Sequence, residues 1–348
     1  MQSDFVQLMR QIAPDLAREM ATRALVVERV AAMAPVGRRQ LAMKLDMPER
    51  EIRAAAAVLK DEGIIQLNAS GMALTQRGSE VLAAAQEFCH AMFGLSELES
   101  QVAETFGLGR VCIVGGNADE DPQVLQDVGR LAAQRLKGML HSRSTLAVTG
   151  GSTIAAVAQH MQSSAPLNVM VVPARGALGR SVQTQANTLA AEFAQKLGGH
   201  HRLLHLPDHI DAAALQEMLK LPDVREAIEL LQRADVVLHG IGRADDTAAE
   251  RKLPVTRVRK LTEGGAVAEA LGSYYDRNGE CLLSSSSVGV DPGQLKPTCQ
   301  MVAVAAGKRK AEAISAVVKR YRHALLVTDE AAAREMLRLA LKEDCTPQ

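Results

Sequence analysis

Between Asp15 and Met33 the apolar positions Leu16, Met20, Leu25, Val26, Val30 and Met33 recur at helical spacing, and Pro35 with Gly37 ends the run. Two shorter amphipathic segments follow, Arg38 to Leu45 and, after a turn at Asp46-Met47, Pro48 to Glu62. In them Leu41, Leu45, Ile52, Ala55, Ala56 and Leu59 share one face. The short apolar runs Ile64 to Leu67 and Met72 to Leu74 flank Asn68-Ala69-Ser70-Gly71, the composition of a hairpin turn. Helices followed by a hairpin in this order predict a winged helix-turn-helix. Thr75 suits the N-cap of a further helix. From Val81 to Phe106 the residues Leu82, Phe88, Met92, Leu95, Leu98, Val102 and Phe106 stand near heptad spacing, which predicts one continuous linker helix able to self-associate.

After Gly109 short β-branched runs alternate with longer helical patterns, the signature of a parallel sheet covered by helices. Strands are expected at Val111 to Val114, Thr145 to Val148, Val169 to Val172, Leu203 to Leu206, Val236 to His239, Met301 to Val304 and Leu325 to Thr328, with a hairpin near Tyr274 to Gly279. The expected fold class is α/β: a winged helix-turn-helix over 1–80, a linker or oligomerisation helix over 81–108, and a doubly wound, mostly parallel sheet over 109–348.

Forty basic and forty acidic residues cancel, so any attraction for nucleic acid has to be local. Five scattered cysteines, Cys89, Cys112, Cys281, Cys299 and Cys345, without a Cys-x-x-Cys pair, fit reduced thiols and argue against a disulfide framework or zinc site. The chain lacks a signal-peptide pattern and any run of about 18 apolar residues, so a cytoplasmic location is expected. With no tryptophan and three tyrosines, stacking on single-stranded nucleic acid is a poor reading.

Residues 1–100 carry eleven basic and thirteen acidic side chains, yet residues 35–60 carry six against three. Arg50, Arg53, Ala54, Ala57 and Lys60 lie opposite the apolar face of the third helix. Arginine suits paired hydrogen bonds to guanine, lysine suits phosphate, and alanine permits close approach to the duplex. Arg38 and Arg39 open the second helix, where backbone N–H groups also favour phosphate; Gln40 and Lys44 belong to the same helix. Double-stranded DNA is the expected partner, against the blander reading of a protein-interaction module with a solvated face.

Thr149-Gly150-Gly151-Ser152-Thr153 stands where a strand meets a helix. Two glycines let backbone N–H groups approach an anion, the hydroxyls of Ser152 and Thr153 donate to it, and the helix adds its positive end. The turn lacks the lysine and spacing of a nucleotide-binding P-loop, so a sugar phosphate suits it better than ATP. Pro173-Ala174-Arg175-Gly176, His239-Gly240-Ile241-Gly242 and Gly307-Lys308-Arg309-Lys310 also follow strand candidates, at the edge where open parallel sheets bind ligands. Arg175 and Lys310 suit phosphate, Gln185 and Asn187 stand near another helix start, and His239 reads as a hydrogen-bonded strand-end histidine. Gly115-Gly116-Asn117 lacks the spacing of a dinucleotide turn. No cofactor or metal is expected.

Several ordered stretches carry a resemblance over nearly the whole chain: Pro35-Val36-Gly37-Arg38-Arg39, Met72-Ala73-Leu74-Thr75, Ala147-Val148-Thr149-Gly150-Gly151, Val172-Pro173-Ala174-Arg175-Gly176, Gln185-Ala186-Asn187-Thr188 and Lys310-Ala311-Glu312-Ala313-Ile314. The sequence resembles the SorC family of sugar-responsive bacterial transcription regulators. That resemblance implies an effector domain with the fold of sugar-phosphate isomerases and deaminases but without their catalysis, fructose-1,6-bisphosphate as effector, an oligomeric repressor, and control of a glycolytic operon. By match to the family's positions the effector site comprises Gly150, Gly151, Ser152, Thr153, Arg175, Gln185, Glu269 and Lys310. The stretch from Arg243 to Pro254 departs from the family; Arg251 is assigned to its phosphate-contacting position and so to the effector site, with Glu250 as the alternative occupant. Two other readings stand beside the regulator: a sugar-phosphate isomerase or deaminase fused to a DNA-binding segment, which needs a placed acid and base, and a pure oligomerisation scaffold.

Overall fold

The computed structural model describes every residue except 1, 177–180, 207–211, 285–287 and 345–348, so Cys345 lies outside the described residues. The chain divides into two compact units, Met1–Glu97 and Leu98–Gln348.

In the first unit the helices Gln2–Ile12, Pro14–Met33, Arg38–Leu45 and Glu49–Asp61 precede the antiparallel hairpin β1 (Ile65–Asn68) and β2 (Gly71–Leu74), and the helix Gln76–Met92 follows. Its core gathers Val26, Val27, Val30, Val36, Leu41, Ile52, Leu59, Ile65 and Met72. Two expected core positions turn outward: Leu16 is 57 % exposed and Met20 45 %. The buried side of that helix is Ala17, Ala21 and Ala24 instead, small residues that admit close packing on Gln76–Met92. The hairpin turn is the two residues Ala69-Ser70, shorter than the four-residue stretch expected. Val36 exchanges both backbone hydrogen bonds with Met72 (3.1 and 2.8 Å), so the segment ahead of Arg38–Leu45 is fixed to the hairpin. Gly71 permits this approach, since a Cβ there would stand 2.8 Å from Val36 backbone atoms. Thr75 caps the next helix by accepting from the Gly78 N–H at 3.0 Å.

The linker helix expected across Val81 to Phe106 is broken: Gln76–Met92 ends, Phe93-Gly94 forms a turn with Gly94 at φ +69°, and Leu95–Phe106 begins. Leu95, Leu98 and Val102 are 4, 4 and 0 % exposed within the single chain. Their near-heptad spacing therefore serves burial in the chain's own core, and those side chains are not available to a partner.

In chain order the strands of the second unit are β3 (Val111–Val114), β4 (Thr145–Val148), β5 (Met170–Pro173), β6 (His200–His201), β7 (Val236–Gly240), β8 (Gly242–Arg243), β9 (Ala266–Ala270), β10 (Ser273–Asp276), β11 (Cys281–Ser284), β12 (Gln300–Val304) and β13 (Leu325–Asp329). Seven form an all-parallel sheet in the order β3-β13-β12-β7-β4-β5-β6. Alternate residues bury on opposite faces: Leu146, Val148, Leu238 and Val304 join the helices Pro122–Met139, Ser152–His160 and Ala186–Leu197, while Ala147, Val172 and Val237 meet Leu231 and Ala234. That two-sided burial is why the strands read as nearly continuous apolar runs. A second, antiparallel sheet has the order β11-β10-β9-β8.

The strand expected at Leu203 to Leu206 is absent; pairing there stops at His200–His201. Leu204 and Leu206 are nevertheless buried, against Val224 and Ala227. The backbone of Leu204 is satisfied by Asn187, whose Oδ1 accepts from the Leu204 N–H and whose Nδ2 donates to its carbonyl oxygen, both at 3.1 Å. A side chain replaces the strand partner. Among the described residues no helix is long and apolar enough to cross a membrane.

Candidate effector and DNA sites

β4 leads outward to β5 and β6, whereas β7 leads the opposite way to β12 and β13, so the chain switches direction between β4 and β7. In open parallel sheets ligands bind beyond the strand carboxyl ends at such a point. The loops leaving β5, β4, β7 and β12 stand side by side there. Thr149 donates its N–H to the Leu238 carbonyl oxygen and its Oγ1 accepts from the Gly240 N–H (3.0 and 3.1 Å), stitching the β4 and β7 exits together. Ala174 is tied to Val148 at 2.7 Å.

The Gly150-Gly151 turn opens the helix Ser152–His160. Gly151 adopts φ +114° and ψ 159°, a region reserved for glycine, and a Cβ on it would meet nothing within 4 Å, so its face is open. Gly150 is packed instead: a Cβ there would stand 2.5 Å from the Thr184 carbonyl oxygen, which accepts from the Gly151 N–H at 2.9 Å. Gln185 follows as the N-cap of Ala186–Leu197, so the Gly150 turn and Gln185 adjoin. Ser152 is exposed and Thr153 buried.

Arg175, Arg251 and Glu269 form a second cluster. Glu269 Oε1 accepts from Arg251 Nη2 at 3.0 Å and from the Gly272 N–H at 3.0 Å, and lies 3.8 Å from Arg175 Nη1. Arg251, the residue assigned from the sequence, meets Arg175 through Glu269, whereas the alternative, Glu250, is exposed. The tip joining β9 to β10 is Leu271-Gly272, both at positive φ (52° and 86°), the signature of a tight type I′ hairpin. It lies on the Arg175 guanidinium, whose Cζ and Nη1 would stand 2.8 Å from a Cβ on Gly272.

Lys310 is the N-cap of Ala311–Arg320. Burial pulls its ammonium below the ordinary lysine range, opposed by Asp119, Asp246, Glu250 and Asp329. Its turn is held by side chains to which the sequence assigns no role at the site. Asn117 Oδ1 accepts from the Lys308 N–H (3.3 Å), Asp119 Oδ2 from the Arg309 N–H (2.9 Å), and the buried Asp329 from the Gly307 and Ala118 N–H groups (3.1 and 2.7 Å). Burial raises the Asp329 carboxyl, and those amides act against it. The Gly115-Gly116-Asn117 turn, which lacks dinucleotide spacing, thus braces the Lys310 loop together with Asp119.

His239 is fully buried, with Nε2 2.9 Å from His323 Nε2. Burial lowers both, to about 3 and about 4. Two neutral rings share that contact only in unlike tautomers, one donating and the other accepting. This is structural pairing of a strand-end histidine, as its sequence context suggested. Among the described residues no group of three metal-ligating side chains is assembled.

In the first unit Ile52, Ala55, Ala56 and Leu59 are buried, and the opposite face of Glu49–Asp61 presents Arg50, Arg53, Ala54, Ala57 and Lys60. Arg38, Arg39, Gln40 and Lys44 are exposed on the preceding helix, which Gly37 caps. Glu49 ties the two helices' cations together, 3.3 Å from Arg53 and 3.5 Å from Arg39.

Comparison with known proteins agrees with this division. The family described as "CggR N-terminal DNA binding domain" matches residues 20–89, and that described as "Putative sugar-binding domain" matches residues 90–338. Central glycolytic genes regulators are similar along the whole chain: that of Priestia megaterium is 38 % identical, covering 96 % of this chain and 98 % of its own, and that of Bacillus subtilis is 35 % identical, covering 97 % and 99 %. Among solved structures, a SorC family transcriptional regulator from Enterococcus faecalis is 36 % identical, covering 69 % of this chain and 99 % of its own with a TM-score of 0.65. The full-length sorbitol operon regulator from Klebsiella pneumoniae, at 18 % identity and a TM-score of 0.63, covers 87 % of this chain and 94 % of its own and shares the fold. With a DNA-binding unit ahead of a sugar-binding unit, the chain is a sugar-responsive regulator rather than an enzyme, and it belongs to the central glycolytic genes regulators of the SorC family.

Proposed function

We propose that this chain is a repressor of glycolytic genes whose operator affinity is set by fructose-1,6-bisphosphate bound at the carboxyl edge of the parallel sheet. One observation carries the reading: the open Gly151 turn, Arg175 and Lys310 follow β4, β5 and β12 at the carboxyl edge on either side of the β4/β7 switch point, Gln185 adjoins the Gly150 turn, and Glu269 links Arg251 to Arg175. N–H groups at a helix start and arginine forks are the groups that recognise phosphate, and two separate subsites suit two phosphates. Ser152 and Thr153 supply hydroxyls at the first, and Glu269 stands between the arginines.

Arg50 and Arg53 read bases in the major groove in this proposal, with Gln40 and Lys60 flanking them, while Arg38, Arg39 and Lys44 hold phosphates. The effector alters DNA affinity by binding DNA-competent and DNA-incompetent arrangements unequally, and DNA alters effector affinity by the same factor. Self-association belongs to the same proposal. Its surface is not the buried Leu95, Leu98 and Val102 but the exposed row Leu8, Ile12, Leu16 and Met20, 45 to 72 % exposed.

Fluorescence anisotropy on the operator, with increasing glucose-6-phosphate, fructose-6-phosphate or fructose-1,6-bisphosphate, tests the reading. The bisphosphate is expected to shift operator affinity at the lowest concentration. Equal response to all three, or to none, overturns it.

A further inference from the structure

Arg175 and Glu269, two of the effector residues, are nearly closed off from solvent: their side chains are 8 and 10 % exposed, and that of Arg251 is 31 % exposed. A buried guanidinium such as that of Arg175, with a half-buried one beside it, needs a counter-anion. Here the protein supplies one of its own, since the Glu269 carboxylate stands within reach of both guanidinium groups, and the Gly272 N–H fixes it by donating to the same oxygen. Above this pair lies the Leu271-Gly272 hairpin tip, whose missing Cβ lets the backbone rest on the Arg175 guanidinium. Glu269 and Gly272 are three residues apart, so carboxylate and tip move as one piece.

Tyr274, paired across the hairpin with Glu269, is 2 % exposed and lies in the same charged cluster, where Arg251, Glu269 and Arg175 all act on it electrostatically. Thr247 stands beside its hydroxyl; it donates its own hydrogen to the Arg243 carbonyl oxygen at 2.8 Å, which leaves its oxygen to accept from Tyr274.

We propose that the β9–β10 hairpin is a latch, with Glu269 as an internal stand-in for the effector's phosphate on Arg175 and Arg251. An entering phosphate takes over the two guanidinium groups, and the carboxylate and the Gly272 tip withdraw together. The inference rests on the effector reading of this site and adds how the site is kept shut. No bond is made or broken; one anion replaces another. Affinity for any phosphate is reduced by the fraction of molecules that are open.

Inorganic phosphate is the discriminating probe, because it tests competition for the arginines without the sugar hydroxyls that Glu269 is otherwise expected to contact. Calorimetric titration of the full chain and of Glu269→Gln, which keeps the oxygen that accepts from Gly272 while losing the charge, compares phosphate with fructose-1,6-bisphosphate. The variant is expected to bind inorganic phosphate roughly tenfold or more tightly than the parent, the factor that follows from removing one charge-assisted contact. Equal or weaker phosphate binding by a folded variant, with the parent binding the bisphosphate, overturns the latch alone. A parent that binds neither compound overturns the latch and the effector reading together. Hydrogen exchange on the parent provides a measurement free of mutation: the Gly272 amide is expected to exchange faster with the bisphosphate bound. Unchanged or slower exchange overturns the latch.

Discussion

Arg175→Ala separates the contribution of the arginine pair to folding from its contribution to sensing. In the parent, Arg175 Nη1 lies 3.8 Å from Glu269 Oε1, too long for a hydrogen bond, while Arg251 Nη2 and the Gly272 N–H both reach that oxygen at 3.0 Å. Stranding a buried carboxylate costs about 3 to 5 kcal/mol. Glu269 is not stranded here, because two better partners remain, so about 1 to 2 kcal/mol is expected, close to one ordinary contact. For a unit of this size that corresponds to a fall in melting temperature of about 2 to 8 °C. The effect on fructose-1,6-bisphosphate is larger. Losing one charge-assisted contact to phosphate removes about 1.5 to 3 kcal/mol, roughly 10- to 150-fold in affinity. By linkage, the bisphosphate concentration that half-shifts operator binding rises by a similar factor. Calorimetry gives the affinity, anisotropy on operator DNA gives the shift, and a thermal melt gives the stability. A variant that is destabilised as expected but responds at the parent's bisphosphate concentration refutes Arg175 as a sensing residue.

Other expectations follow from single observations. Gly151→Ala meets no neighbour within 4 Å but keeps φ +114°, so it is expected to lose about 1 to 3 kcal/mol through backbone strain alone, read by urea unfolding; an unchanged midpoint refutes the strained turn. His239 and His323 hold folded values of about 3 and about 4, below the ordinary 6.5, so the unfolded chain binds more protons below pH 6.5. Their contribution is complete above pH 6.5 and falls on acidification toward pH 4, and unfolding curves as stable at pH 5 as at pH 7.5 contradict the neutral pair. Val102→Glu places a charge at a fully buried site and is expected to unfold its region rather than dissociate an oligomer; a folded variant of smaller mass in sedimentation restores the linker-helix interface. Arg53→Ala is expected to reduce operator discrimination by roughly 1 to 3 kcal/mol, and equal loss on random DNA sinks the base-reading role.

Much of the architecture was legible in the order of residues because it rests on local chemistry. Strands β3 and β4 coincide with their apolar runs, Thr75 caps its helix, and the apolar stripe Ile52, Ala55, Ala56 and Leu59 left Arg50, Arg53 and Lys60 outside by periodicity alone. The Gly150-Gly151 turn announced itself because a strand-to-helix junction at positive φ demands glycine. What only the tertiary structure decided was which apolar or charged groups meet across long separations. Leu204 and Leu206 have strand periodicity but no strand, because Asn187, 17 residues before Leu204, supplies its backbone partners. Leu95, Leu98 and Val102 have an interface's spacing but belong to the chain's own core, and Leu16 and Met20 have a core's spacing but face outward, because alanines on the neighbouring stripe pack closer. Glu269 and Arg251 are 18 residues apart, and Arg175 is farther still; nothing in their local sequence states that one carboxylate serves both arginines. Periodicity fixes which face of an element is apolar, whereas the partner of that face, and of every buried charge, depends on how distant elements are brought together.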